Sequence, residues 1–225
     1  MQDFLTAVGC DAAAAAALGD DVRQRGQAVF QPRHLPAVRQ LELGSDLSLG
    51  AREAGGPAWP VATTRWRTDY HLQRLSALPG GHLLATGLWE PVAGATPVRT
   101  SLHVTTLSDQ RPIPAQPGAY ASYLALLADR VQERRDPVAE LLPTTGPTAQ
   151  ITGQCRLTVR GRVADLHETQ PDPACGPVRM LWITSPGSWA ILAAAPASAC
   201  HGDISRGTWV EVSGILQGEL VASAR

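Results

Sequence analysis

The chain has 225 residues and a formal net charge of -1, and its 19 cationic side chains are all arginine, with neither lysine nor asparagine present. That length holds two modest domains, each with its own core. The charge balance excludes the basic excess behind tight, sequence-independent duplex binding, so any nucleic-acid contact must be local.

Ala7-Val8-Gly9-Cys10 faintly resembles a lipoprotein cleavage site, but no cation precedes Cys10 and Asp3 stands where a positive region belongs. No window approaches the ~20 apolar residues of a membrane helix. These features predict a soluble, cytoplasmic protein with no membrane partner. Residues 3–25 carry an alanine run, with Asp11 placed as a cap and Gly26 as a stop, and predict a helix. A stretch rich in Pro, Gly and Leu with weak periodicity follows to Pro60.

Three strand-like runs at 63–76, 82–92 and 98–107 are separated by Pro79-Gly80-Gly81 and Gly94-Ala95-Thr96-Pro97, which predicts an antiparallel meander. On the first run Arg65, Arg67, Asp69 and His71 share one face, and Trp66, Thr68, Tyr70 and Leu72 the other. That alternation predicts core roles for Trp66 and Tyr70, and leaves the arginines either to extend a groove or to keep the surface soluble. From Gly118, Tyr120, Tyr123, Leu124, Leu127 and Val131 fall at helical spacing, and Arg130, Arg134 and Arg135 suit the C-terminus of such a helix. Pro143, Gly146 and Pro147 then mark a linker. The expected organisation is an α+β domain over 1–136, a Pro/Thr-rich linker over 137–150, and a barrel over 151–225.

In the last segment Leu157, Val159, Gly161 and Val163 alternate with Arg156, Thr158, Arg160 and Arg162, and mid-strand Gly161 fits a barrel corner. Val178–Thr184 and Trp189–Leu192 flank Ser185-Pro186-Gly187-Ser188, the chemistry of a type II turn. Gly207–Gly214 alternates again, and Gln217-Gly218 is read as a turn into a last strand, Glu219–Ser223.

The run Val159-Arg160-Gly161-Arg162-Val163, the hairpin through Leu181-Trp182-Ile183-Thr184, and Arg206–Leu216 together resemble an OB-fold domain of the single-strand-binding and anticodon-binding sort, over about a third of the chain. The fold class expected is therefore α+β: an N-terminal helix, an antiparallel β-meander and a helix, then a C-terminal five-stranded OB-fold β-barrel. The resemblance implies aromatic rings stacking on bases and cations holding phosphates. The residues placed to do so are Arg156, Arg160, Arg162, Arg179, Trp182, Trp189 and Trp209. Residues 150–225 carry six arginines against six acids, so binding would depend on segregation of charge and be salt-sensitive.

Missing lysine excludes Schiff-base and P-loop chemistry, and G-x-S-x-G, H-E-x-x-H and G-x-G-x-x-G after a strand do not occur. Cys10, Cys155, Cys175 and Cys200 make no C-x-x-C pair, so reduced thiols and no metal or cofactor are expected. The function expected is a non-enzymatic, single-stranded nucleic-acid-binding accessory of DNA replication, recombination or repair, with a protein partner or a homodimer. The alternative is an adaptor whose barrel face and Tyr120–Val131 helix meet another protein.

Overall fold

The computed structural model describes residues 12–29, 37–43, 46–56, 58–62, 64–77, 83–106, 116–143, 155–170, 175–185 and 189–222. Its α-helix, α1 (Ala12–Arg25), precedes four short strands, β1 (Gln27–Val29), β2 (Val38–Glu42), β3 (Leu47–Arg52) and β4 (Trp59–Ala62), which pair in sequence order as one antiparallel sheet. Alanine favours the helix intrinsically, and the Gly26 N–H closes it on the Val22 carbonyl at 2.8 Å. Ala15, Leu18 and Val22, at spacings of three and four, form its buried face, in one cluster with Leu47, Leu49 and Ala51 of β3. The stretch read as weakly periodic is this small sheet. Its strands are too short for alternation to emerge from sequence.

Ten further strands form one mixed sheet. They are β5 (Arg67–Ala77), β6 (Leu83–Glu90), β7 (Val98–Thr106), β8 (Gly118–Glu133), β9 (Glu140–Pro143), β10 (Arg156–Thr169), β11 (Val178–Ser185), β12 (Trp189–Pro196), β13 (Cys200–His201) and β14 (Trp209–Ala222). The pairings close two circuits. One runs β5-β6-β7-β14-β8 and back to β5; the other runs β10-β11-β12-β8-β14 and back to β10. Each has a single parallel contact, β7 with β14 and β12 with β8.

The two circuits are related by a pseudo-two-fold axis through the β8–β14 ladder. Strand β8 pairs with β5 through Gly118–Tyr123 and then with β12 through Ala125–Leu127. Strand β14 does the same, pairing with β10 through Trp209–Ile215 and then with β7 through Gln217–Glu219. The axis passes where Leu216 faces Leu126 and Gln217 faces Ala125. Bulges match as well, between Leu72 and Arg74 on β5 and between Val163 and Asp165 on β10. Each half thus lends its last strand to the other.

This arrangement overturns the expected helix-meander-helix-plus-barrel architecture at three points. Gly118–Glu133 is a strand and not a helix: Leu124, Leu126 and Ala128 point into the main core, while Ala125 and Leu127 pack in the cluster formed with α1 and β3. A strand buried on both faces loses its two-residue period, and an Ala/Leu-rich run then reads as helix until pairing on both edges decides otherwise. The arginines at its end therefore do not face a helix dipole. Gln217-Gly218 is not a turn, because both residues lie inside β14, paired to β8 on one side and to β7 on the other. A Cβ on Gly218 would run into the Tyr123 carbonyl oxygen, so the glycine serves close approach of strands. Finally, the barrel is not self-contained, since β8 stands where a fifth C-terminal strand was expected.

The runs read as a meander are β5–β7, which pair antiparallel in sequence order as expected, but they close against β8 and β14 and are not a separate sheet. Part of the linker, Glu140–Pro143, is β9 and pairs with β10. Asp11 and the turn at 186–188 lie outside the described residues.

One apolar interior runs through both circuits, from Tyr70, Trp89 and Leu102 to Leu157, Ile183 and Val212. Several of its polar groups are bonded to one another: Trp89 Nε1–H donates to Thr68 Oγ1 at 3.0 Å, Thr68 Oγ1 meets Ser122 Oγ at 2.8 Å, and Tyr70 O–H donates to the Thr100 carbonyl at 3.1 Å. Such bonds tie β5, β6, β7 and β8 in one register.

Because each circuit needs a strand from the other half, fragments 1–149 and 150–225 expressed separately should show no cooperative thermal transition by circular dichroism, and mixing them should restore one. Gly218→Ala should lower the stability of the intact chain by about 1–3 kcal/mol in urea denaturation, since the Tyr123 backbone cannot yield.

Candidate nucleic-acid interface

The seven residues expected to form a site are not gathered into one. Arg156, Arg160 and Arg162 do share the outer face of β10, as alternation required, but their charges are largely answered there. Arg156 pairs with Asp129 at 2.7 Å; Arg160 pairs with Glu211 at 2.7 Å and with Glu140 at 2.8 Å. The hydrogen bond that Arg160 donates to Glu211, with the one to Glu140 adding to it, pushes the Arg160 pKa above its ordinary value, so this cation is held in place by its two carboxylates. Arg179, on β11, pairs with Glu168 at 3.2 Å. Only Arg162 stays exposed without an acid, bonded to the Gly207 carbonyl at 3.2 Å.

The tryptophans divide likewise. Trp189 lies in the interior, where it would touch a Cβ placed on Gly161, so that glycine makes room for core packing. Trp182 is half-buried against the cluster that joins α1 and β3 to β8, β11 and β12. Trp209 is half-buried and stands in register beside Arg162.

The outer face of β11 and β12 is occupied by the chain's own N-terminal module. Val178, Met180, Leu192 and Ala194 point out of the main core and into the cluster with Ala15, Leu18, Leu49 and Ala62, and every residue of β12 is buried. The equivalent face across the pseudo-axis, on β6 and β7, has no such cover among the described residues. Outward Arg99 is exposed, and Leu84, Thr86, Leu88 and Ser101 are half-buried.

One group does not lie where alternation predicted it. Trp66 is 48% exposed and lies between exposed Arg65 and Arg67. The strand begins only at Arg67, so Trp66 escapes the two-residue period; its N–H is taken by Thr64 Oγ1 at 3.1 Å. Tyr70, by contrast, is wholly buried, as the pattern predicted. Arg67, His71 and Arg74 share the outer face of β5, and the register sets His71, Leu88 and Arg99 side by side across β5, β6 and β7. Among the described residues no acid lies within ion-pair distance of Arg65, Arg67, Arg74 or Arg99. Glu90 stands 3.7 Å from His71. The Arg-Trp-Arg triplet was legible in sequence; its exposure was not.

Among the described residues the free thiols are not activated. Burial pushes the Cys155 thiol up to about 12 and raises Cys200 too, where desolvation outweighs the nearby Arg179 guanidinium. Cys175 is disulfide-bonded, which departs from the expectation of reduced thiols throughout. Among the described residues no three His, Cys, Asp or Glu side chains gather as a metal would require. No helix there is long and apolar enough to cross a membrane. Comparison with known proteins finds no matching family model, curated protein or solved structure.

Because Cys155 ionises at about 12 when folded and near 9 when unfolded, only the unfolded chain gains by losing that proton as pH rises between these values. Burial raises the Tyr70 pKa as well, and this acts in the same direction at still higher pH. Urea denaturation should therefore show stability constant up to about pH 9 and declining above it. Maleimide should leave Cys155 unlabelled at pH 8 until denaturant is added.

Proposed function

We propose that the protein binds single-stranded nucleic acid through the outer side of β5, β6 and β7, as a non-enzymatic accessory of DNA replication, recombination or repair. The observation that carries this reading is Trp66, an exposed indole between two arginines with no acid in ion-pair distance among the described residues. An exposed aromatic ring takes an unstacked base, and flanking guanidiniums take the phosphates on either side of it. Duplex binding would need a larger basic surface than a chain of net charge -1 provides. In barrels of the OB type, ligands lie across the middle strands. Among the described residues the outer face of β6 and β7 has no cover, with Arg99 on it and Arg74 beside it on β5. This moves the interface from the C-terminal residues that the sequence pointed to onto the first circuit.

The adaptor alternative draws on the ion pairs of Arg156, Arg160 and Arg179, which keep the β10 and β11 surfaces electrically quiet. The helix it invoked at Tyr120–Val131 is strand β8, which leaves that reading with less surface than expected.

Titration with oligo-dT at low salt should quench the tryptophan fluorescence. Trp66→Ala should weaken binding about tenfold, the loss of one stacked base. Arg67→Glu should weaken it further and reduce the slope of log affinity against log salt by about one. Absence of quenching at low salt, with both variants behaving as wild type, would overturn the proposal in favour of the adaptor.

A further inference from the structure

We infer that the chain carries a second site for a phosphodiester backbone, built from Arg162, Arg206 and Trp209, so that one molecule holds two single-stranded segments at once. The inference rests on the function proposed above and extends it to the other circuit.

The matching bulges put Arg162 and His71 at equivalent positions of the two circuits, each on an outer face one residue before a bulge pair. What surrounds them differs. Arg162 is exposed, and its Nε–H donates to the Gly207 carbonyl at 3.2 Å; Arg206 is exposed, and its Nε–H donates to the Ala164 carbonyl at 2.7 Å. Neither has an acid within ion-pair distance among the described residues, unlike Arg156, Arg160 and Arg179. A guanidinium has five N–H donors, so one bond to a carbonyl aims the group and leaves the rest for phosphate oxygens.

The turn that carries Arg206 passes against the Arg162 guanidinium. Gly207 has φ +95, and a Cβ there would lie 3.3 Å from Arg162 Nη2, so the backbone folds directly under the guanidinium. Thr208 closes the turn, with its N–H donating to the Ser205 carbonyl at 3.1 Å and its Oγ1 accepting the Ser205 N–H at 3.2 Å. Trp209, half-buried, stands directly opposite Arg162 across the β10–β14 ladder, three residues on from Arg206. Two charge-unanswered arginines and a neighbouring indole are the chemistry of the Trp66 group in a second place.

The two groups are too far apart to be one contact. Arg67 faces Tyr123 on β8, whereas the N–H of Arg134, just past the end of β8, donates to the Trp209 carbonyl. Measured along the strand, that separation is on the order of 35 Å at ~3.4 Å per residue. It exceeds the screening length of ~10 Å at moderate salt, so the sites fill independently.

The test uses the intact chain and oligo-dT of about six nucleotides, short enough for one site. Isothermal titration should give two oligomers per chain. Donor-labelled and acceptor-labelled oligomers should show energy transfer on adding protein and lose it when protein is in excess. Arg162→Glu with Arg206→Glu should reduce the stoichiometry to one and abolish the energy transfer while leaving quenching of Trp66 unchanged. If wild type binds nothing, the function proposed above fails and this inference with it. If wild type binds one oligomer, or the double variant keeps two or keeps the energy transfer, the second site is overturned and the first reading stands.

Discussion

The antiparallel ladder between β8 and β14 is the constraint on which the rest of the molecule depends. Every closure in the large sheet passes through it, since each circuit takes one of these strands as its own and the other as a loan. Pairing on both edges explains why the two strands are among the longest in the chain, and why their sequences accept Gly214 and Gly218, where backbones approach more closely than a Cβ allows. It also explains a single interior instead of two. Val131 of one half and Val212 of the other face each other across the ladder inside the same cluster.

Pseudo-symmetry in the backbone is not matched by symmetry at the surface, and the difference assigns roles to the faces. The middle strands of the second circuit are sealed by α1 and the small sheet through alanine, leucine and methionine contacts, so that face is core. Among the described residues nothing seals those of the first, and Arg99 on them has no acid in ion-pair distance. Arginine count alone does not define a binding surface. What matters is which guanidiniums the fold leaves without an acid, and among the described residues these are Arg65, Arg67, Arg74, Arg99, Arg162 and Arg206, together with Arg52, Arg130 and Arg135.

Much of the strand content was legible because half-buried strands announce themselves by alternation. Leu157, Val159 and Val163 against Arg156, Arg160 and Arg162 gave β10 its faces, and Val210 and Val212 did so for β14. The method failed where that asymmetry vanished. Strand β8 is covered on both sides, so its leucines and alanines carry no period, and the Gln217-Gly218 pair resembles a turn until the strand continues through it. The exchange of last strands left no local trace, being a relation between residues about ninety positions apart. At the site, adjacency of Arg65, Trp66 and Arg67 was visible, yet exposure depended on where β5 begins, which is a boundary that alternation does not locate. The reverse happened at Arg160, whose place on an outer face was correct while Glu140, on a strand read as linker, removed its charge from use.

The lending of strands also sets a timetable. Strand β7 leaves the ribosome about a hundred residues before β14, so the first circuit waits with the edges of β7 and β8 unpaired until the second half is nearly complete. Open edges of that length invite pairing with other chains, and the nascent protein meets that hazard in every round of synthesis. Arg99 stands on the waiting strand β7, and its charge opposes the approach of a second cationic edge. A cation on the surface of the finished molecule thus serves first as a guard for a chain that cannot yet close.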